Sequence, residues 1–335
     1  MEASAVRFGV LDGTLVSDAI LPLLDRGGRG EVHSVFASAL NLEVGGHLIT
    51  ITARSLDPLP NGIRVGPDMD FRGAGLRPGL RVQVGAWRIV IPGARMWIDL
   101  DGATPWSPQI ARAKRGIAGD TALERWLARA AGVRALAATR VGLRSDGRAG
   151  LGPLLSPAAS IPLPSVAALA APRLARLSAA LRDGGEAAAS AAAEQLVGLG
   201  PGLTPSGDDA LVGVAAALAA TAGPDTAATA FLRRAADGAA ARTTAVAAMF
   251  LWHAAAGQFA GRLHALLAAL LDPDLELLVP AIDRAIGWGA TSGTDTLVGV
   301  LAGLDAVAGL VAGAVPTDAV PTDAVPTGYR AKSAA

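Results

Sequence analysis

Short apolar runs with β-branched residues fill the first third of the chain: EVHSVFAS (31–38), HLITITAR (47–54), LRVQV (80–84), WRIVI (87–91) and MWIDL (96–100). Alternation of the RVQV kind puts apolar side chains on one face of a strand, and the turn residues of LPNG (59–62) and RPG (77–79) separate the runs. Regular spacing of short strands predicts a small β-barrel or β-sandwich-like domain over residues 1–105. After about residue 106 the pattern changes. SPQIARAKRGIAGDTALERWLARAAG (107–132) carries helix formers with charges at helical spacing and predicts a helix, followed by a Gly/Pro/Ser-rich connector to residue 163. Residues 164–313 read as Ala- and Leu-rich helices, broken at Gly184-Gly185, at a glycine-rich stretch near residue 200, at Gly223-Pro224, at Gly257 and at Pro273. The end, 314–335, repeats a five-residue unit, AVPTD. Proline at every fifth position holds neither a helix nor a sheet, so a disordered low-complexity tail is expected. The fold class is α+β, with the β-rich domain first and a larger helical domain after it.

Composition narrows the functions open to this pattern. The chain has 335 residues, 51% of them hydrophobic, with 29 basic and 29 acidic side chains and no cysteine. Charge balance gives no electrostatic footprint for nucleic acid or for an anionic membrane surface. Without cysteine there is no disulfide, no thiolate zinc site and no Cys nucleophile. No basic segment followed by an apolar core opens the chain, so no signal peptide is expected, and a cytoplasmic location is compatible. The most apolar segment, LVGVLAGLDAVAGLVAGAV (297–315), is interrupted by Asp305, and a charge amid a bilayer span is costly. It reads as a buried helix.

Candidate chemistry concentrates in GLGPGLTPSGDDALVG (198–213). PSGDDALVGV (205–214) recurs as TSGTDTLVGV (291–300), with seven of ten positions identical. A repeat of this kind suggests duplicated units facing each other. Each copy has the form S-G-x-D before an apolar run, which fits a capped helix start with Ser206 or Ser292 as N-cap and Asp209 or Asp295 reaching back. Gly213 and Gly299 lie seven residues beyond the serines, where a missing side chain lets another helix approach. Capping and packing alone account for that much. They do not require the glycines of GLGPG. Gly200, Gly202 and Gly207, with Thr204 and Ser206, and in the second copy Thr291, Ser292 and Gly293, can present N–H and hydroxyl donors to an anion. Asp208, which has no counterpart in the second copy, is the candidate for substrate or metal work. Asp208 and Asp209 together are the candidate Mg²⁺ ligands, and no other cofactor is indicated. No lysine follows the glycines, so the stretch is not a Walker A loop.

A second cluster is RTTAVAAMFLWHAAAGQFAGRLHALL (242–267). Arg242 and Thr243 lie near a helix start, and Arg242 can clamp a carboxylate through two parallel hydrogen bonds. His253 stands eleven residues on, three helical turns along and on the same face, and is the candidate general base. It reads equally well as a core histidine beside Trp252. His264 and His33 have similar structural readings. No H-E-x-x-H pair and no G-x-S-x-G elbow occurs.

GLGPGLTPSGDDALVG with the downstream GATSGTDTLVGVLAGL resembles the AllH-type subunit of oxamate carbamoyltransferase, and RTTAVAAMFLWHAAAGQF and VHSVFASALNL extend the similarity over most of residues 30–312. The resemblance implies a partner-dependent enzyme of purine and allantoin breakdown that exchanges a carbamoyl group between oxalurate and phosphate, giving oxamate and carbamoyl phosphate. It implies a hetero-oligomer with an FdrA-like subunit and a further carbamoyltransferase subunit, and small carboxylate and phosphate ligands. It carries no assigned catalytic residue. Two readings from other classes compete with it: a non-catalytic assembly subunit, and a Mg²⁺-dependent phosphate-ester or nucleotide enzyme built on Asp208 and Asp209.

Overall fold

A computed structural model of the chain describes residues 9–112, 122–144, 149–156, 165–222, 227–272 and 275–313. The tail 314–335, Gly223-Pro224, Pro273 and most of the 145–163 connector lie outside the described residues.

The N-terminal part is a barrel. Its elements are β1 (Gly9–Ser17), α1 (Leu21–Arg26), β2 (Gly28–Val35), β3 (Ala39–Val44), β4 (His47–Thr52), β5 (Gly62–Val65), β6 (Arg81–Gly85), β7 (Arg88–Ile91), β8 (Met96–Asp99) and β9 (Thr104–Trp106). Strands follow the order β5-β4-β3-β2-β6-β7-β8-β1-β9, and β1 also pairs with β5, so eight strands close on themselves. A register shift between Gly13 and Leu15 lets β1 pair β8 with its first half and β5 with its second, while β9 adds to its C-terminal end. Closure leaves no long open edge. Leu40, Leu42, Ile49, Ile51, Ile89 and Ile98 fill the interior. The alternate positions of β3 and β4, Asn41, Thr50 and Thr52, are buried as well. They lie on the outer face, which the helical part covers.

The periodicity finds the strands around β2, β4, β6, β7 and β8 and passes over β1, β3, β5 and β9. Those four contain Asp, Gly, Asn, Glu, Arg or Pro, and neighbouring strands rather than intrinsic preference make them extended.

The helices are α2 (Ala122–Gly142), α3 (Ser165–Arg182), α4 (Glu186–Glu194), α5 (Ser206–Ala222), α6 (Ala227–Asp237), α7 (Ala245–Ala255), α8 (Gly261–Leu271), α9 (Leu278–Ile286) and α10 (Ser292–Gly313). The helix expected over 107–132 is displaced. Residues 113–121 lie outside the described residues; the described helix runs from Ala122 to Gly142, and residues 108–110 before it are held extended against the helical part. The Phe259 N–H donates to the Pro108 carbonyl (2.8 Å) and the Ile110 N–H to that of Gly257 (3.2 Å).

α5 and α10, the two helices that start with the repeated motif, form the centre of the helical part. They run side by side in the same direction. A Cβ on Gly299 would lie 2.0 Å from the Ala210 carbonyl oxygen, and one on Gly213 2.1 Å from that of Thr296. Gly303 continues the contact against Val214 and Ala217. Backbone meets backbone along this seam, which a side chain at either glycine would block. Asp305, the charge that interrupts the apolar segment, accepts from the Trp126 indole N–H (3.1 Å) and pairs with Arg134. Among the described residues no helix is long and apolar enough to cross a membrane.

Candidate functional site

Both copies of the motif start a helix, one residue earlier than a capping box on the serine requires. The Pro205 carbonyl accepts from the N–H groups of Asp208 (3.0 Å) and Asp209 (3.1 Å), and the Thr291 carbonyl from that of Asp295 (2.8 Å). Pro205 and Thr291 are therefore the cap positions, and Ser206 and Ser292 are the first helical residues. The glycine that follows each serine is fixed by packing. A Cβ at Gly207 would lie 2.0 Å from the Leu196 carbonyl oxygen, and one at Gly293 2.0 Å from that of Ala285. Their N–H groups donate to the carbonyls of Leu199 (2.8 Å) and Trp288 (3.0 Å). Neither glycine offers its N–H to an anion, which corrects the expectation for both.

The acids divide differently from the expectation as well. Asp208 is 2% exposed. One carboxylate oxygen accepts from the Gly198 N–H (3.0 Å) and the other from the Thr243 hydroxyl (2.5 Å). Burial raises its pKa, against the opposing effect of those two donors and of Arg242. It ties the start of the glycine-rich loop to the segment before α7. Gly198, at φ 73°, packs against the Arg242 carbonyl there and leaves no space for a Cβ.

Asp209 and Asp295 cross over between the helices. Burial, and then the neighbouring Asp295, push the Asp209 carboxyl well above the ordinary carboxylate range, while the Ser292 and Thr204 hydroxyls and Arg262 oppose this. Asp295 is raised by burial and opposed by the Leu151 N–H, Ser206 and Thr291. The Leu151 N–H donates to Asp295 Oδ1 at 2.6 Å. The second copy's serine thus lies beside the first copy's acid, and the reverse.

Where the two helix starts meet the barrel, a cavity of about 730 Å³ opens. Gly202, Thr204, Thr291 and Ser292 form one wall, and the Thr204 and Ser292 hydroxyls are 2.7 Å apart. Phe36, Phe250 and Trp288 supply aromatic surface, and Asn41 and Thr50 come from the outer face of β3 and β4. Among the described residues no charged side chain lines the cavity. Two parallel helices direct their positive ends to this wall, which favours an anion or the oxygen of a polarised carbonyl.

Four of the sequence-derived candidates converge here: Gly202, Thr204, Thr291 and Ser292. The others stand outside the lining. Gly200, at φ 114°, packs over Ser206, and Ser206 itself is buried at the helix junction. Arg242 is exposed, ahead of a helix that begins after the Thr244 cap, so Arg242 and His253 do not share a helix face. His253 is 5% exposed, bonds Gln258 Oε1 through Nδ1 (2.6 Å) and packs edge-on to Trp252. Burial lowers its pKa to about 4. His264 bonds the Pro108 carbonyl (3.1 Å) and His33 the Ser34 hydroxyl (3.1 Å).

Sequence reading passed over Asn41, Trp288 and Arg262. Trp288 stands between two glycines just before the second motif, a visible signal. Arg262 lies under it, 3.8 Å from the ring centre, 8% exposed and with Nη1 unpartnered. Burial lowers its pKa to about 10. Among the described residues no group of three His, Asp or Glu side chains is placed to hold a metal ion.

Neither a curated protein nor a solved structure matches the chain. Two family models do match it: the AllH family N-terminal domain over residues 12–105, and the oxamate carbamoyltransferase subunit AllH over residues 196–304. The first covers the barrel, and the second begins at the glycine-rich loop and runs through both helix starts to the middle of α10. With the barrel and the paired helices both accounted for, the chain belongs to the AllH family of oxamate carbamoyltransferase subunits.

Proposed function

We propose that the cavity between the barrel and the paired helix starts is the site where this subunit holds the small amide acid, oxamate or oxalurate, during carbamoyl transfer. The observation that carries the reading is the convergence of Thr204, Thr291 and Ser292 with two helix N-termini on one wall. Carbamoyl transfer develops negative charge on a carbonyl oxygen, and fixed donors aimed at that oxygen in a site that excludes water are the usual means of stabilising it. A cavity of about 730 Å³ is of ordinary size for a small-molecule site and has room for a second reactant.

Among the described residues the lining carries no charged side chain, and this supports a part for the partners. A phosphate carries two negative charges, and this wall opposes them only with hydroxyls and helix dipoles. The cations that hold phosphate then come from another subunit, the FdrA-like one or the further carbamoyltransferase subunit. The setting is the oxidative breakdown of purines and allantoin in the cytoplasm. The Mg²⁺-dependent reading finds no support in the acids, since Asp208 has both oxygens engaged within the chain and Asp209 turns toward Ser292 and Asp295.

The test is reconstitution. The three subunits are co-purified, and carbamoyl phosphate formation from oxalurate and phosphate is measured with and without this chain, and with Ser292→Ala or Thr204→Val in it. The expected result is loss of activity without the chain and at least a tenfold fall with either variant. Full activity from a complex carrying both substitutions would show an assembly role instead.

A further inference from the structure

Asn41 sits in the middle of a polar row that crosses the outer face of the barrel. Ser34, Asn41 and Thr50 are direct partners on β2, β3 and β4. Ser34 reaches this register because β2 has an extra residue, His33, between the pairs Val32–Leu42 and Ser34–Asn41. Asn61, just before β5, completes the row: it accepts the Thr50 N–H on its carbonyl (3.0 Å).

The hydrogen bonds fix which way each group points. Asn61 faces the Leu48 carbonyl at 3.1 Å, and a carbonyl only accepts, so the atom there is Nδ2. The same Nδ2 donates to the Thr50 hydroxyl (2.9 Å). The buried Thr50 proton then needs an acceptor, and the one in reach is Asn41 Oδ1 at 2.8 Å. Asn41 Nδ2 is left facing the Ser34 hydroxyl at 2.9 Å. The orientation of the Asn41 amide thus follows from a backbone carbonyl two groups away. One N–H of Nδ2 and one lone pair of Oδ1 remain unused, on a residue that lines the cavity.

We propose that Asn41 is a specificity-determining residue that reads a primary amide. The unused N–H donates to the ligand's amide oxygen, and the unused lone pair accepts from the ligand's N–H. A –CO–NH₂ end completes both contacts. A –COO⁻ end completes one and sets an oxygen against an oxygen at the other, and a site built for a donor rejects an analogue that lacks it. The inference rests on the cavity reading above in one respect: oxamate and oxalurate both end in –CO–NH₂, so Asn41 would decide which end of the ligand enters.

The experiment compares oxamate with oxalate, in which oxygen replaces the amide NH₂, by titration calorimetry on the full chain in its complex. The wild type is expected to prefer oxamate by tenfold or more, about 1.4 kcal/mol. Asn41→Leu should remove that preference. Thr50→Val, which keeps Asn41 but frees its amide to turn over, should reduce it and serves if Asn41→Leu fails to fold. A structural role alone would weaken both ligands together; an unchanged preference in the variants overturns the inference. Should neither acid bind the wild type, the oxamate reading fails, and acetamide against acetate by ligand-observed NMR decides the amide inference alone. Saturation transfer to acetamide that Asn41→Leu abolishes supports it, and equal transfer to both ligands in the wild type overturns it.

Discussion

Thr204 and Ser292 are 88 residues apart in the chain and 2.7 Å apart in space, hydroxyl to hydroxyl, at the junction of the two repeated helix starts. The contact joins the glycine-rich loop before α5 to the first residue of α10, and both residues face the cavity. Thr204→Val keeps the shape and removes the hydroxyl. The expected cost to stability is about 1 kcal/mol, the ordinary net value of one hydrogen bond. The expected effect on oxamate affinity is larger, at least tenfold. Chemical denaturation and calorimetry on the same preparation separate the two. Equal, small effects on both would leave Thr204 a packing residue.

Gly299→Ala is expected to destabilise far more than a buried methyl group usually does. Its Cβ would fall 2.0 Å from the Ala210 carbonyl oxygen, which is backbone and cannot rotate away. The two helices must separate, at a cost of about 2–4 kcal/mol. Gly185→Ala is the control, because a Cβ there meets nothing closer than 3.6 Å. A Gly299→Ala protein with the urea midpoint of the control would refute the close seam.

Asp208→Ala acts on the cavity without lining it. The substitution leaves the Gly198 N–H and the Thr243 hydroxyl without their acceptor, at about 1–3 kcal/mol. The loop from Gly198 to Thr204 loses its anchor, so ligand affinity should fall too. Hydrogen exchange at residues 198–204 should rise selectively. If exchange is unchanged there, the brace assigned to Asp208 is wrong.

His253 makes stability depend on pH in a definite direction. Its pKa is about 4 in the folded chain against 6.5 for an ordinary histidine, so the unfolded chain binds more protons between those values. Stability contributed by the neutral ring is complete above about pH 6.5 and lost as pH falls toward 4, by roughly 3 kcal/mol. Asp208, Asp209 and Asp295 have raised values and act oppositely, gaining stability as pH falls. The His253→Gln variant therefore isolates the effect. Its difference from wild type, measured by urea denaturation from pH 7 to 4, should shift in favour of the variant at the acid end. A constant difference would contradict the burial of a neutral ring.

Strand spacing, helix composition and the doubled S-G-x-D motif were readable because they are local. Alternation marks a strand, and glycine and serine mark a helix start, whatever lies elsewhere. The approach of Gly213 and Gly299 was readable too, since a glycine at a fixed offset in both copies has few other uses. What each acid does was not. Asp208 and Asp209 are neighbours with the same chemistry, and only packing turns the first toward Thr243 and the second toward Ser292. Arg242 and His253 looked like one helix face because the Thr244 cap between them is invisible to periodicity. Asn41 is one of two polar residues in the short strand β3, and its partners Ser34 and Thr50 become neighbours only through strand register, set by a one-residue bulge at His33. The sequence by itself determined the elements and the places where helices begin. The tertiary structure decided which donors meet at one cavity, because hydrogen-bond partners there are drawn from residues tens of positions apart.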